Sequence, residues 1–193
     1  MHPCITVKDG IYQSPIALAQ TKDIFYTFKN LENIDDFIHY IFNKKTTEYD
    51  VKNNVEITSN GLTYKLSEFH FHQPGEHTIE GKDYPLEMHF EFVHNKSLFV
   101  IGFLVKLFDK TSDIFLKIID NDPFRFPSYD NFFTYPGSLT GDGFNGNVNW
   151  VVTDRILYIT PCDLKIITKK SKGTRGIQPR DGRIINYVCQ HKH

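Results

Sequence analysis

The 193-residue chain is predicted to be mostly β with a minor helical component, folded as one domain over residues 1–193. Three observations predict this. Apolar and polar residues alternate with period two in several short runs, β-branched and aromatic residues dominate those runs, and Gly, Pro, Asn or Asp bounds each one. A length near that of one ordinary domain, with no internal repeat, low-complexity tract or linker, supports a single core.

The strand candidates are NVEITSN (54–60), TYKLSEFHFH (63–72), EMHFEFVH (87–94), SLFVIGFLVKLF (97–108), NWVVTD (149–154) and RILYIT (155–160). The two residues Asn95-Lys96 join the third and fourth as a hairpin. That loop length sets a register in which His94 faces Ser97, Glu91 faces Val100 and His89 faces Gly102. His89 then shares a face with Glu87, Glu91 and Val93, while Met88, Phe90 and Phe92 point to the other side and read as core. In TSDIFLKII (111–119), Ile114, Phe115, Ile118 and Ile119 fall on one helical face behind a Thr111 or Ser112 cap, which predicts one short helix. LENIDDFIHYIF (31–42) fits a helical period through Leu31, Ile34, Ile38 and Ile41, and a strand period through Phe37, His39 and Ile41. Periodicity does not choose between them.

Composition excludes several classes of function. With 22 Lys+Arg against 23 Asp+Glu there is no basic face for nucleic acid. Seventeen Phe and ten Tyr are too much aromatic surface for a disordered chain. No apolar run reaches the about 18 to 20 residues of a membrane span, and MHPCITVKDG carries no apolar leader core. The expectation is a protein without a membrane association, cytoplasmic or otherwise intracellular. Cys4, Cys162 and Cys189 are an odd count without CxxC spacing, so they read as isolated buried or semi-buried thiols. Asn95-Lys96-Ser97 is a glycosylation sequon, and the cluster Lys169-Lys170-Ser171-Lys172 reads as a solvated turn.

Chemistry concentrates in residues 70–94, which hold five of the nine histidines. His70 and His72 alternate on a strand, so both imidazoles project to one side about 6.6 Å apart. His89, on the strand that follows, supplies a third. Three neutral imidazoles without a thiolate, leaving one position open, are the donor set of a catalytic zinc ion. A lone histidine is more often a satisfied core residue, but the His-x-His pair with a third ring on the next strand favours a metal. Glu68 and Glu87 lie two residues before His70 and His89 on the same faces, where each can accept a ligand's second ring N–H.

The block FHFHQPGEHTIEGKDYPLEMHF (69–90) resembles the α-class carbonic anhydrases. So do Gln13-Ser14-Pro15-Ile16, Tyr135-Pro136-Gly137-Ser138-Leu139-Thr140 with Trp150 ten residues on, and Arg175, Gln178, Pro179 and Arg183. The resemblance spans most of the chain. It implies a central twisted, largely antiparallel β-sheet with short peripheral helices and a metal at the foot of a conical cleft. It makes His70, His72 and His89 the Zn²⁺ ligands, with Glu68 and Glu87 behind them, although the family more often has Gln at the Glu68 position. It makes Thr140 and Glu76 the catalytic relay that orients the nucleophile, His77 a structural histidine, and Ser14, Tyr135 and Trp150 the support behind the cleft. The substrate pocket it implies is lined by Glu91, Val100, Leu139, Gly141 and Trp150. The activity implied is carbonate dehydratase: reversible hydration of CO₂ to bicarbonate by a zinc-bound hydroxide, in a monomer acting on a small-molecule substrate and inhibited by sulfonamides.

Four departures from the family pattern stand out. Asp50-Val51-Lys52-Asn53 holds no proton-shuttling histidine, so slow, buffer-dependent turnover is expected. Glu91 places a carboxylate where the pocket wall is apolar in active members, unless it pairs with a base or a bulge turns it away. Gly141-Asp142-Gly143-Phe144 replaces Thr-Pro-Pro, and the N-terminal Trp and Tyr are absent. The alternative reading is a carbonic-anhydrase-like binding module with weak or no catalysis. Gly141–Gly146 also matches the dinucleotide pattern GxGxxG, but it precedes a strand rather than a helix. A cupin site would need a later histidine in PGSLTGDGFN, which has none.

Overall fold

The computed structural model describes residues 12–19, 37–141, 143 and 146–189. Fourteen strands and two helices follow one another within them. The strands are β1 (Ala17–Leu18), β2 (Phe37–Ile38), β3 (Tyr40–Asn43), β4 (Glu48–Val51), β5 (Glu56–Ser59), β6 (Leu62–His72), β7 (Thr78–Ile79), β8 (Leu86–His94), β9 (Ser97–Leu107), β10 (Phe124–Arg125), β11 (Asn131–Gly137), β12 (Val148–Thr153), β13 (Leu157–Ile159) and β14 (Asn186–Cys189). Helices α1 (Asp113–Asp120) and α2 (Pro161–Ile167) flank β10–β13. Ten strands make one sheet in the order β14-β11-β12-β9-β8-β6-β4-β3, with β13 added on β9 and β5 on β6. Its pairs are antiparallel except β12 and β13, which both run parallel to β9.

The register of the central strands is enforced by aromatic burial. Phe69 and Phe71 of β6, Met88, Phe90 and Phe92 of β8, and Phe103 of β9 are fully buried in one large apolar cluster. Each such side chain contributes about 1.5–3 kcal/mol, and a one-residue slip would turn all of them to the other face. The hairpin pairing follows the expected register, with His94 opposite Ser97, Glu91 opposite Val100 and His89 opposite Gly102. The intervening positions therefore face a second, smaller cluster built from Ile16, Tyr84, Val100, Leu104, Tyr135 and Trp150, among others. At the β5–β6 turn, Asn60 and Gly61 adopt positive φ of 51° and 77°, as a tight hairpin requires.

Within the ambiguous stretch 31–42, residues 37–38 and 40–42 are extended, so strands form there, but the buried face is Ile38 and Tyr40 while Phe37, His39 and Ile41 are exposed; Leu31 and Ile34 lie outside the described residues. The helix predicted over 111–119 forms as α1, with Ile114, Phe115 and Ile118 buried. Ser112 sits at its N-cap without a side-chain cap bond, because its Oγ accepts from the Tyr158 amide at 2.9 Å. Helix α2 is an addition whose signal was present: Thr160 caps the Asp163 amide at 3.2 Å and Pro161 occupies the first turn. The lysine cluster is not a solvated turn. Lys170 lies over the Phe42 ring and Lys172 is half-buried against Glu48. Cys189 is half-buried as expected, Cys162 is exposed rather than buried because it lies in the first turn of α2, and Cys4 lies outside the described residues. Among the described residues no helix is long and apolar enough to cross a membrane.

Candidate metal centre

Strands β6 and β8 pair so that His70 lies directly beside His89. The ring centroids of His70, His72 and His89 are 4.8, 5.2 and 4.8 Å apart, and all three side chains are buried. One donor nitrogen from each falls within 4.8 Å of the others.

The remaining ring nitrogens are all engaged. His70 Nδ1 lies 2.9 Å from Glu68 Oε1, His72 Nδ1–H donates to the Gly173 carbonyl at 2.5 Å, and His89 Nε2–H donates to Glu87 Oε1 at 2.8 Å. A carbonyl can only accept, so His72 must carry its proton on Nδ1 and present a lone pair at Nε2. That Nε2 is 2.9 Å from His70 Nε2. Burial, reinforced by the His89 charge, holds the His70 pKa well below its ordinary value and brings His72 down to about 2. Both rings are therefore neutral donors. For His89 burial acts downward as well, but the Glu87 carboxylate outweighs it and the pKa is raised.

Glu87 is the hub of the second layer and is fully buried. Its Oε2 accepts from the Glu76 and His77 amides at 2.7 and 2.8 Å, and its Oε1 accepts from His77 Nδ1–H at 2.7 Å as well as from His89. Burial would raise its pKa, yet the His77 and His89 charges hold it well below the carboxylate range. The chain continues outward: His77 Nε2 is 2.6 Å from the Tyr135 hydroxyl, which is 3.1 Å from Ser14 Oγ. Gly102 keeps this carboxylate in place, since a Cβ there would come within 3.1 Å of Glu87 Oε1. His77, Glu87 and His89 also gather three donor atoms, but these are already bonded to one another.

Glu76, buried beside His72, is anchored by the Arg175 amide, which donates to Oε1 at 2.9 Å. Its Oε2 has no hydrogen-bond partner. Burial raises its pKa, and the His89 charge, the Thr140 hydroxyl and the Arg175 amide pull the other way. Thr140 is buried as well and acts on Glu76 electrostatically, while Glu76 Oε2 stays without a hydrogen-bond partner. Of the expected pocket residues, Trp150 packs its ring 4.9 Å from that of His89 and donates Nε1–H to Ser138 O at 2.9 Å. Val100 is buried against Glu91 on one side and Trp150 on the other. Leu139 packs on the same cluster, and Gly141 is exposed with open space around it.

Among the described residues Glu91 has no ion pair with a basic side chain. Its partner is the acid Glu68, which it faces across β6 and β8 just after a register shift between Leu66 and Glu68. Burial pushes each carboxyl up to about 8; the Glu48 charge adds to it at Glu68 and the Glu68 charge adds to it at Glu91, while Lys172 and His89 oppose at both. The bulge lies in β6, so it realigns Glu68 and leaves Glu91 half-buried on the same face of β8 as His89. Two contributors escaped the sequence reading. The Gly173 carbonyl and the Arg175 amide are backbone groups, and no side-chain pattern announces them.

The donor set, three imidazoles each oriented by an oxygen acceptor, fits a divalent zinc-type ion better than a hard, oxygen-preferring cation. Comparison with known proteins agrees. A family model described as eukaryotic-type carbonic anhydrase matches residues 4–121. A carbonic anhydrase of Neisseria gonorrhoeae is 30% identical over 174 residues, 74% of this chain and 68% of its own. Among solved structures, the Photobacterium profundum alpha-carbonic anhydrase superposes with a TM-score of 0.82 at 21% identity, covering 92% of this chain and 89% of that one. The Thermovibrio ammonificans enzyme, in complex with the inhibitor sulfanilamide, gives 0.73 at 22% identity over 93% and 87%. Fold, sequence and the paired-strand histidines converge, and the chain belongs to the eukaryotic-type, or α-class, carbonic anhydrase family.

Proposed function

We propose that this chain is a zinc-dependent carbonate dehydratase that interconverts CO₂ and bicarbonate. The observation that carries the reading is the convergence of three ring nitrogens whose partners on the same rings are already committed to Glu68, Gly173 and Glu87. A zinc ion held there supplies Lewis acidity and brings the pKa of a bound water to about 7.

The chain's own groups do the rest. Glu76 Oε2, left without a hydrogen-bond partner, would accept the Thr140 hydroxyl proton. A Thr140 hydroxyl that donates its proton to Glu76 would keep its oxygen lone pairs as acceptors toward the nucleophile and would turn the nucleophile's own lone pair toward the substrate carbon. Val100, Leu139 and Trp150 offer apolar surface for CO₂, while Glu87 fixes the tautomer of His89. With no histidine in residues 50–53, proton release relies on external buffer.

The test is direct. The purified chain is expected to bind one zinc and to hydrate CO₂, and His89→Ala is expected to abolish both. Zinc binding without turnover would instead establish a binding module. Sulfanilamide, the inhibitor in the Thermovibrio complex, is expected to inhibit by competing for the open metal position.

A further inference from the structure

Residues 171–175 form a strap alongside the end of β6, and two groups of the metal centre take their orientation from it. The Gly173 carbonyl accepts from His72 Nδ1–H, and the Arg175 amide donates to Glu76 Oε1. The strap belongs to no named strand. Its backbone is joined to β6 by a single parallel bridge at His72 and Lys172, where the Lys172 amide donates to Phe71 O at 2.7 Å and the Gln73 amide donates to Lys172 O at 3.2 Å. Gly173 has open space where a side chain would be, so packing does not hold it.

Side chains on either side of Gly173 hold it instead. Lys170 lies over the rings of Phe42 and Tyr49, at 5.1 and 5.9 Å. Lys172 Nζ donates to Glu48 Oε1, Thr174 Oγ1 donates to Pro74 O, and Arg175 Nη1 donates to Ser14 O at 2.9 Å. Of these, Glu48–Lys172 bears most directly on His72. Glu48 begins β4, which pairs with β6 at Tyr49–Phe69 and Asp50–Glu68, so the ion pair closes a ring running β4, β6, strap and back. Both side chains are mostly buried, at 19% and 24% exposure, and a pair so shielded is less screened than a surface one.

We infer that Lys172, through its ion pair with Glu48, is a positioning residue of the metal centre: it presses the strap onto β6 so that the Gly173 carbonyl fixes His72 and the Arg175 amide fixes Glu76. The inference rests on the reading of His72 as a metal ligand. Its sign separates it from simple electrostatics. Lys172 is a cation near the site, so if only its charge mattered, removing it would tighten the binding of a divalent ion. If it positions His72, removing it loosens that binding.

The experiment is a zinc competition titration against a chelator for the full chain, Lys172→Met and Lys172→Arg, paired with amide hydrogen exchange on the zinc-free proteins. Loss of an outer partner of a ligand typically costs 10–100-fold in metal affinity. Acting one residue further out, Lys172→Met is expected to raise the zinc Kd about tenfold, with Lys172→Arg within about threefold of the parent. The Lys172 and Gln73 amides are expected to lose protection in the methionine variant only. Unchanged or tighter zinc binding in Lys172→Met, or unchanged amide protection, overturns the inference. If the methionine variant does not fold, Lys172→Gln is read by the same criteria. A parent chain that binds no zinc refutes the proposed function, and the exchange measurement then still decides whether Lys172 holds the strap.

Discussion

Replacing Glu87 by Gln changes one oxygen to an NH₂ at the most heavily bonded carboxylate of the site. Four donors converge on it, two backbone amides on Oε2 and two imidazole N–H groups on Oε1, all between 2.7 and 2.8 Å. The amide can be seated in two ways. With NH₂ toward the backbone, the Glu76 and His77 amides lose their acceptor, at about 1–3 kcal/mol for each buried donor, or about 2–6 kcal/mol together. With NH₂ toward the rings, His77 and His89 must each accept. Imidazoles can move a proton between nitrogens and peptide groups cannot, so the second seating is cheaper. It moves the His89 proton to Nδ1, the only nitrogen left to that ring for a metal. The zinc Kd of Glu87→Gln is therefore expected to rise 10–100-fold, equivalent to about 1.4–2.8 kcal/mol. Chelator competition measures the affinity, and nitrogen NMR of the zinc-free variant reads the His89 tautomer. Zinc affinity within threefold of the parent, with His89 still protonated at Nε2, would refute the hub argument.

Other substitutions test separate links. Gly137→Ala places a Cβ 2.1 Å from Ser14 Oγ and 3.0 Å from the Tyr135 and Trp150 rings, so a loss of about 2–4 kcal/mol is expected from overpacking and the broken Ser14 bonds, read by urea unfolding. Glu91→Val restores an apolar wall beside Val100, and kcat/KM for CO₂ is expected to rise about tenfold, or about 1.4 kcal/mol; no change would mean that the Glu68–Glu91 pair does not face substrate. Initial rates of CO₂ hydration are expected to climb with imidazole buffer concentration, and a rate independent of buffer would reveal an internal proton path. Burial, with Asp122 and Asp120 adding, pushes the Tyr40 phenol up to about 12, and its hydroxyl donates to Asp122 O at 3.1 Å. Because the folded pKa lies above the unfolded one, the stability it contributes is complete below about pH 10 and fades as pH rises through 12. Tyr40→Phe is expected to flatten that part of the alkaline unfolding curve, measured by circular dichroism.

The strands that carry the ligands were legible because their two faces differ so sharply in polarity. Phe69, Phe71, Phe90 and Phe92 alternate with His70, Glu87, His89 and Glu91, and the short Asn95-Lys96 loop left the hairpin a single sensible register. Strands β4, β11 and β14, like the two-residue β1, β7 and β10, were not recognised, and β3 stayed undecided within 31–42. Tyr40–Asn43 and Glu48–Val51 are too short for a period to show, and in Asn131–Gly137 a Pro and two Gly or Asn ends obscure the alternation. The parallel addition of β12 to β9 depends on contacts 50 residues apart in the chain, at Leu98 and Val148 among others, and nothing local encodes it. Within the candidate site, His70, His72, His89, Glu68 and Glu87 followed from alternation and spacing, whereas Glu76 and Thr140 were named only through the family resemblance. Gly173 was invisible because its carbonyl acts, and Lys172 was misjudged because its partner, Glu48, is 124 residues away.

Strands β6 and β8 carry their foundation and their chemistry on opposite sides of one ribbon. The greasy underside is packed without help from the imidazoles above it, so single changes among those imidazoles are expected to remove the proposed metal donors while the apolar cluster stays filled. Such a molecule ages asymmetrically: its donor groups can be lost one codon at a time while the apolar layer beneath them keeps its shape.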